Sequence, residues 1–128
     1  MDDWMTLDVL LFFEGRTGAL PLYEALMRRM MTLPDVHVRV QKTQITLSNR
    51  RVFACVSFAR VRKKAELPSN WLVLSLGLGE PLRSERVAQQ TEPYPGRWTN
   101  HLVIGSEAEV DDELASWIRA AYDFAAQK

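Results

Sequence analysis

Lys42, Thr43 and Gln44 stand where the chain breaks its own rhythm. Val36, Val38 and Val40 share one parity, whereas Ile45 and Leu47 share the other. A strand running straight through would put Lys42 and Gln44 among the valines and expose Ile45 and Leu47, because side chains alternate with period two. A bulge or a break between Gln41 and Gln44 is therefore expected, and bulges re-aim side chains. A lysine and an amide released in this way can donate to a carboxylate, a phosphate or a carbonyl. The bland counterpart is an edge kink with solvated polar residues.

His101 shares its parity with Arg97, Thr99 and Val103, opposite Trp98, Leu102 and Ile104. A histidine can act as acid, base or metal ligand near neutral pH. No second ligand stands beside it at an interpretable spacing, so a hydrogen-bonded structural histidine is the simpler role. Tyr94 and Trp98, with Pro93 and Pro95, form an aromatic-proline segment that can rim a groove or merely close the core. The candidate site is an anion-accepting pocket bounded by Lys42, Gln44 and His101, with Trp98 or Tyr94 as its apolar wall. Small-ligand pockets commonly combine an apolar lining with a few convergent polar groups.

The remaining reactive residue types point to structure. Cys55 lies between Ala54 and Val56 in an apolar run that offers nothing to stabilise a thiolate. Arg60, Arg62, Lys63 and Lys64 read as a solvated turn, with no aromatic platform to make them a single-strand reader. Asp111, Asp112 and Glu113 suit the positive end of a helix. No glycine-rich phosphate loop, metalloprotease helix or serine elbow is present. No catalytic residue, metal or cofactor is expected.

The elements that must position these residues follow from periodicity. Thr6 can cap a helix over about 7–13, with Gly15 as its stop. Pro21 suits the first turn of a second helix, whose stripe is Leu22, Tyr23, Leu26, Met27, Met30 and Leu33, ended by Pro34. Strands are predicted over about 36–40, 45–47, 52–59, 71–78 and 98–104, the third of them central because it is apolar or small on both faces. Residues 80–96 carry Pro81, Pro93 and Pro95 and read as irregular, with one helical turn near 84–89. Ser106 and Glu109 form a capping-box pair for a final helix over about 107–126, packed through Leu114, Trp117 and Ile118. Strands in succession favour an antiparallel arrangement. The expectation is one α+β domain over residues 1–128: a mainly antiparallel sheet of four to five strands, with the N-terminal helices and the C-terminal helix on one face.

Composition narrows the partners. Sixteen basic residues balance sixteen acidic ones in 128, so no net field draws the chain to nucleic acid or an anionic membrane. One cysteine excludes an intrachain disulfide. Val9–Phe13 is too short to span a bilayer and follows Asp2, Asp3 and Asp8 where a secretory signal has basic residues. A cytoplasmic location is the resulting expectation.

Four stretches carry a resemblance: VRVQKTQITL (38–47), FACVS (53–57), EPYPGRWTNH (92–101) and DDELASWIRAAY (111–122). Together they resemble the bacterial family catalogued as domain of unknown function 5655, from about Phe12 onward. The resemblance implies a small α+β domain, alone or appended to other modules, and brings no activity, cofactor or catalytic residue. Related sequences often place a second histidine where this chain has Asn100, so the resemblance implies no two-histidine metal site here. The functional expectation is a non-catalytic module that binds a small anionic or polar ligand or a protein partner. A structural or oligomerising domain comes second and an enzyme third.

Overall fold

The computed structural model describes residues 4–127; Asp2 and Asp3, cited above against a secretory signal, lie outside it. Two short helices open the chain, α1 (Leu7–Phe12) and α2 (Leu20–Met30). Thr6 caps α1 by accepting from the Val9 N–H, and Gly15 follows at φ +78°, a conformation glycine adopts without strain. Pro21 sits in the first turn of α2, and Leu22, Tyr23, Leu26, Met27 and Met30 are its buried stripe.

Six strands follow: β1 (His37–Val40), β2 (Gln44–Ser48), β3 (Val52–Ser57), β4 (Leu72–Leu78), β5 (Val87–Tyr94) and β6 (Arg97–Ile104). They form one antiparallel sheet in the order β1-β2-β3-β4-β6-β5. The sheet therefore has six strands where four to five are expected. The extra one is β5, built from the segment read as irregular with a helical turn. VAQQTEPY has no apolar alternation because β5 is an outer strand pairing only with β6, and an outer strand tolerates Pro93.

The change of phase at Lys42 is a chain reversal. Gln41 donates its N–H to the Gln44 carbonyl across a tight turn at 2.8 Å, and Val40 pairs with Ile45. Paired residue numbers here sum to an odd value, so residues sharing a face must have opposite parity. Of the two remedies, the chain takes the break. A register shift does occur, one hairpin later between Leu47 and Ser48, where the Phe53 ring meets Tyr122 of the last helix edge-on at 5.4 Å.

Helix α3 (Asp112–Ala126) starts later than predicted. Ser106 and Glu109 bracket a separate 3-10 turn, and Asp111 is the true cap, accepting from the Leu114 N–H at 2.9 Å. That hydrogen bond, with Arg86 beside it, holds the Asp111 carboxyl below its ordinary pKa. Leu114, Ile118, Ala121 and Ala125 are buried, while Trp117 is only half-buried, under the Arg86 guanidinium. Trp117 thus contributes less to the core than its place in the apolar stripe implied. Buried side chains of all three helices join Ile45, Leu47, Val56, Leu74, Leu76 and Leu102 in one cluster on one side of the sheet. The opposite side carries a row of cross-strand neighbours, Arg39, Thr46, Cys55, Ser75, His101 and Gln89.

Candidate functional site

Because the turn after β1 folds back, Lys42 and Gln44 line one cavity of about 420 Å³, together with Phe12, Arg16, Thr43, Ser57, Phe58 and Ala59. Each wall has a local cause. Val9 of α1 and Phe13 just after it are buried, which places Phe12 beside the sheet. Phe12 stacks on Phe58 at 5.7 Å, and Phe58 meets Trp71 edge-on at 5.8 Å. Arg16, in the turn between α1 and α2, lays its guanidinium over Phe58 at 4.3 Å and also reaches Trp71 at 5.5 Å. Such cation–π contacts fix an otherwise mobile side chain at about 0.5–1 kcal/mol each at exposed sites.

The polar groups are set as follows. Gln44 donates one amide N–H to Gln41 Oε1 at 3.3 Å, and its second is free to donate elsewhere. Ser57, almost fully buried, accepts from the Ala59 N–H at 3.3 Å. Neither Arg16 nor Lys42 forms an ion pair among the described residues. Asp8 lines a neighbouring cavity that shares Phe12 and Lys42. The site therefore offers two cations, an amide and the hydroxyls of Thr43 and Ser57 beside aromatic rings.

The other three predicted site residues are elsewhere. His101 shares the sheet side of Gln44, but β3 and β4 lie between their strands, roughly 14 Å at ordinary strand spacing. Its Nδ1 is 2.6 Å from Ser75 Oγ, and burial lowers its pKa, so the neutral ring is favoured. Trp98 pairs with Leu78 on the opposite side of the sheet. Tyr94, largely exposed, lines a separate cavity with Arg51, Arg97 and Phe124 near the carbonyl end of α3. Convergence on one cavity is thus confined to Lys42 and Gln44.

Arg16 and the Phe12–Phe58 pair were missed in the sequence. Arg16 sits in a Gly-Arg-Thr-Gly turn, and nothing local says that a residue 42 positions later supplies the ring beneath it.

Cys55 lies half-buried in β3, the third strand of six, and burial pushes its thiol up to about 11. At pH 7.5 a free thiol near 8.5 is about a tenth ionised, so labelling of native Cys55 is expected to be at least roughly a hundredfold slower than of free cysteine. A stopped reaction with an aromatic disulfide reagent measures it, and labelling at the free-thiol rate would refute the assignment.

The fold and cavity define a small α+β domain with a cationic, aromatic-floored recess beside a β-turn. Residues 12–125 match the family described as Domain of unknown function (DUF5655), and the chain belongs to it. Comparisons with curated proteins and with solved structures returned no match. Among the described residues, no helix is long and apolar enough to cross a membrane, and no group of three or more His, Cys, Asp or Glu side chains is placed to hold a metal ion.

Proposed function

We propose that the domain binds a small organic anion in the cavity between α1 and the β1–β2 turn, without catalysing a reaction on it. The observation that carries this reading is the presence of Arg16 and Lys42, cations without an ion-pair partner among the described residues, on a single aromatic-lined recess. The guanidinium fork and the lysine donate to a carboxylate or phosphate. The rings of Phe12 and Phe58 receive the ligand's flat or apolar part. The catalytic alternative lacks a nucleophile–base pair in the recess: Thr43 and Ser57 supply its hydroxyls, and no histidine or carboxylate lines it.

The test is a calorimetric titration with benzoate and phenyl phosphate, with inorganic phosphate as the ring-free comparison. Lys42→Met is expected to weaken binding about fivefold, the effect of removing one solvent-exposed charge contact of about 1 kcal/mol. Arg16→Met should cost at least as much, because it also uncovers Phe58. A probe that binds both variants as tightly as the wild type does not use this recess, and the reading then fails.

A further inference from the structure

The two outer strands of the sheet are treated very differently. Strand β5 carries Pro93 and two register irregularities, between Val87 and Gln89 and between Thr91 and Tyr94. Such features stop further strands from adding. Strand β1 has neither proline nor bulge, and its register with β2 is unbroken from His37 to Val40. The turn hydrogen bond from Gln41 to Gln44 fixes which backbone groups remain free. In an antiparallel ladder, bonded and non-bonded pairs alternate, so Arg39 and His37 bond inward to β2. The N–H and C=O groups of Val38 and Val40 then point outward, unpaired.

Beside this edge lies exposed apolar surface on α1. Leu7, Leu10 and Leu11 of α1 are 70, 46 and 57 % exposed, three large apolar residues on one side of a six-residue helix whose other side buries Val9. Leu11 and Phe12 share a cavity with Val40 and Gln41, so Leu11 adjoins the strand. Val36, Val38 and Val40 are centred on Val38, so an antiparallel second copy of the strand sets valine against valine across a two-fold axis. The chain's zero net charge removes long-range repulsion between copies.

We propose that β1 pairs antiparallel with β1 of a second copy, joining two sheets into one and covering the α1 leucines. The register follows from the free groups. Val38 opposite Val40 would set Arg39 directly against its own copy, a close like-charge contact. Val40 opposite Val40 would set Val38 against Lys42, beyond the strand end. Val38 opposite Val38 instead aligns Val36 with Val40 and His37 with Arg39, keeping every valine on the side where α1 lies.

Sedimentation velocity across micromolar to submillimolar concentrations tests the pairing. The wild type is expected to be dimeric. Val38→Pro removes one outward N–H while leaving the inward ladder intact, and Leu11→Glu places charge on the apolar patch. Each should weaken the dimer at least tenfold, with far-UV circular dichroism unchanged. Val52→Glu, at an exposed valine on β3, should leave it intact. A wild type monomeric throughout overturns the proposal, as does a dimer indifferent to both Val38→Pro and Leu11→Glu, or a monomer whose edge takes up a valine-rich peptide instead. Lys42 borders both this surface and the anion recess, so it is left unchanged here; loss of dimerisation with benzoate binding retained, or the reverse, separates the two proposals.

Discussion

Asn100→Leu is expected to lower the unfolding free energy by about 1–2 kcal/mol, because it withdraws the acceptor shared by the Leu82 N–H and Gln90 Nε2. Asn100 is wholly buried on β6. Its Oδ1 accepts from the Leu82 N–H at 2.9 Å and from Gln90 Nε2 at 2.8 Å. Gln90 Nε2 also donates to the Leu82 carbonyl at 2.6 Å. Two side chains thus satisfy both backbone groups of Leu82, doing for the β4–β5 connection what a neighbouring strand does elsewhere. Leucine leaves the Leu82 N–H without a partner, and an unsatisfied buried donor costs about 1–3 kcal/mol. Two terms oppose this: Gln90 Nε2 keeps the Leu82 carbonyl as acceptor, and Asn100 Nδ2 has no partner in the native protein, a burden that leucine removes. Urea unfolding followed by circular dichroism measures the difference, and hydrogen exchange at the Leu82 amide locates it. A midpoint unchanged from wild type, with Leu82 still protected, would show that water replaces the side chain and that the network is dispensable.

The same network explains why β5 was illegible. Helices announce themselves through one repeating stripe, and Leu22 to Met30 and Leu114 to Ala125 do so here. Central strands do so through dense apolar residues, as in β4. Strand β5 has neither signal. What holds it is backbone pairing to β6 and the contact of Gln90 with Asn100, ten residues away, and neither is a property of the segment VAQQTEPY. Its prolines and polar residues describe an outer position, which composition alone cannot distinguish from a loop. The parity change at Lys42 was fully legible as a discontinuity, and only its form was open. Bulge and tight turn both restore Ile45 and Leu47 to the core, and choosing between them requires knowing that β1 has a partner on one side only. The candidate site divided for a related reason. Lys42 and Gln44 are neighbours in sequence and stay together, whereas His101 depends on the strand order, and two intervening strands carry it toward Ser75.

Phe13→Ala is expected to be the most damaging of the substitutions considered, at about 3–5 kcal/mol, the usual range for a wholly buried aromatic residue. Phe13 has no exposed surface, and its ring meets Phe12 at 5.3 Å, Tyr23 at 5.1 Å and Phe58 at 5.5 Å. Helix α1 has six residues, too few to persist by its own hydrogen bonds. Its position therefore rests on Val9 within the helix and Phe13 just after it, both in the core. Removing Phe13 opens a void that the three neighbouring rings cannot fill without moving. Phe12 and Phe58 are two of those neighbours and form the floor of the proposed anion recess, so benzoate affinity should fall even under conditions where the variant stays folded. Leu11→Ala is the matched comparison, two residues away on the same short segment. Leu11 is 57 % exposed, and its truncation should change monomer stability by no more than about 0.5 kcal/mol. Urea midpoints for the two variants, measured at a concentration that keeps the wild type monomeric, decide the matter. Equal midpoints would mean that α1 does not anchor through Phe13, and the recess would lose the element that positions its aromatic wall. A large loss for Phe13→Ala beside a negligible one for Leu11→Ala would tie the stability of the N-terminal segment to the same packing that shapes the recess.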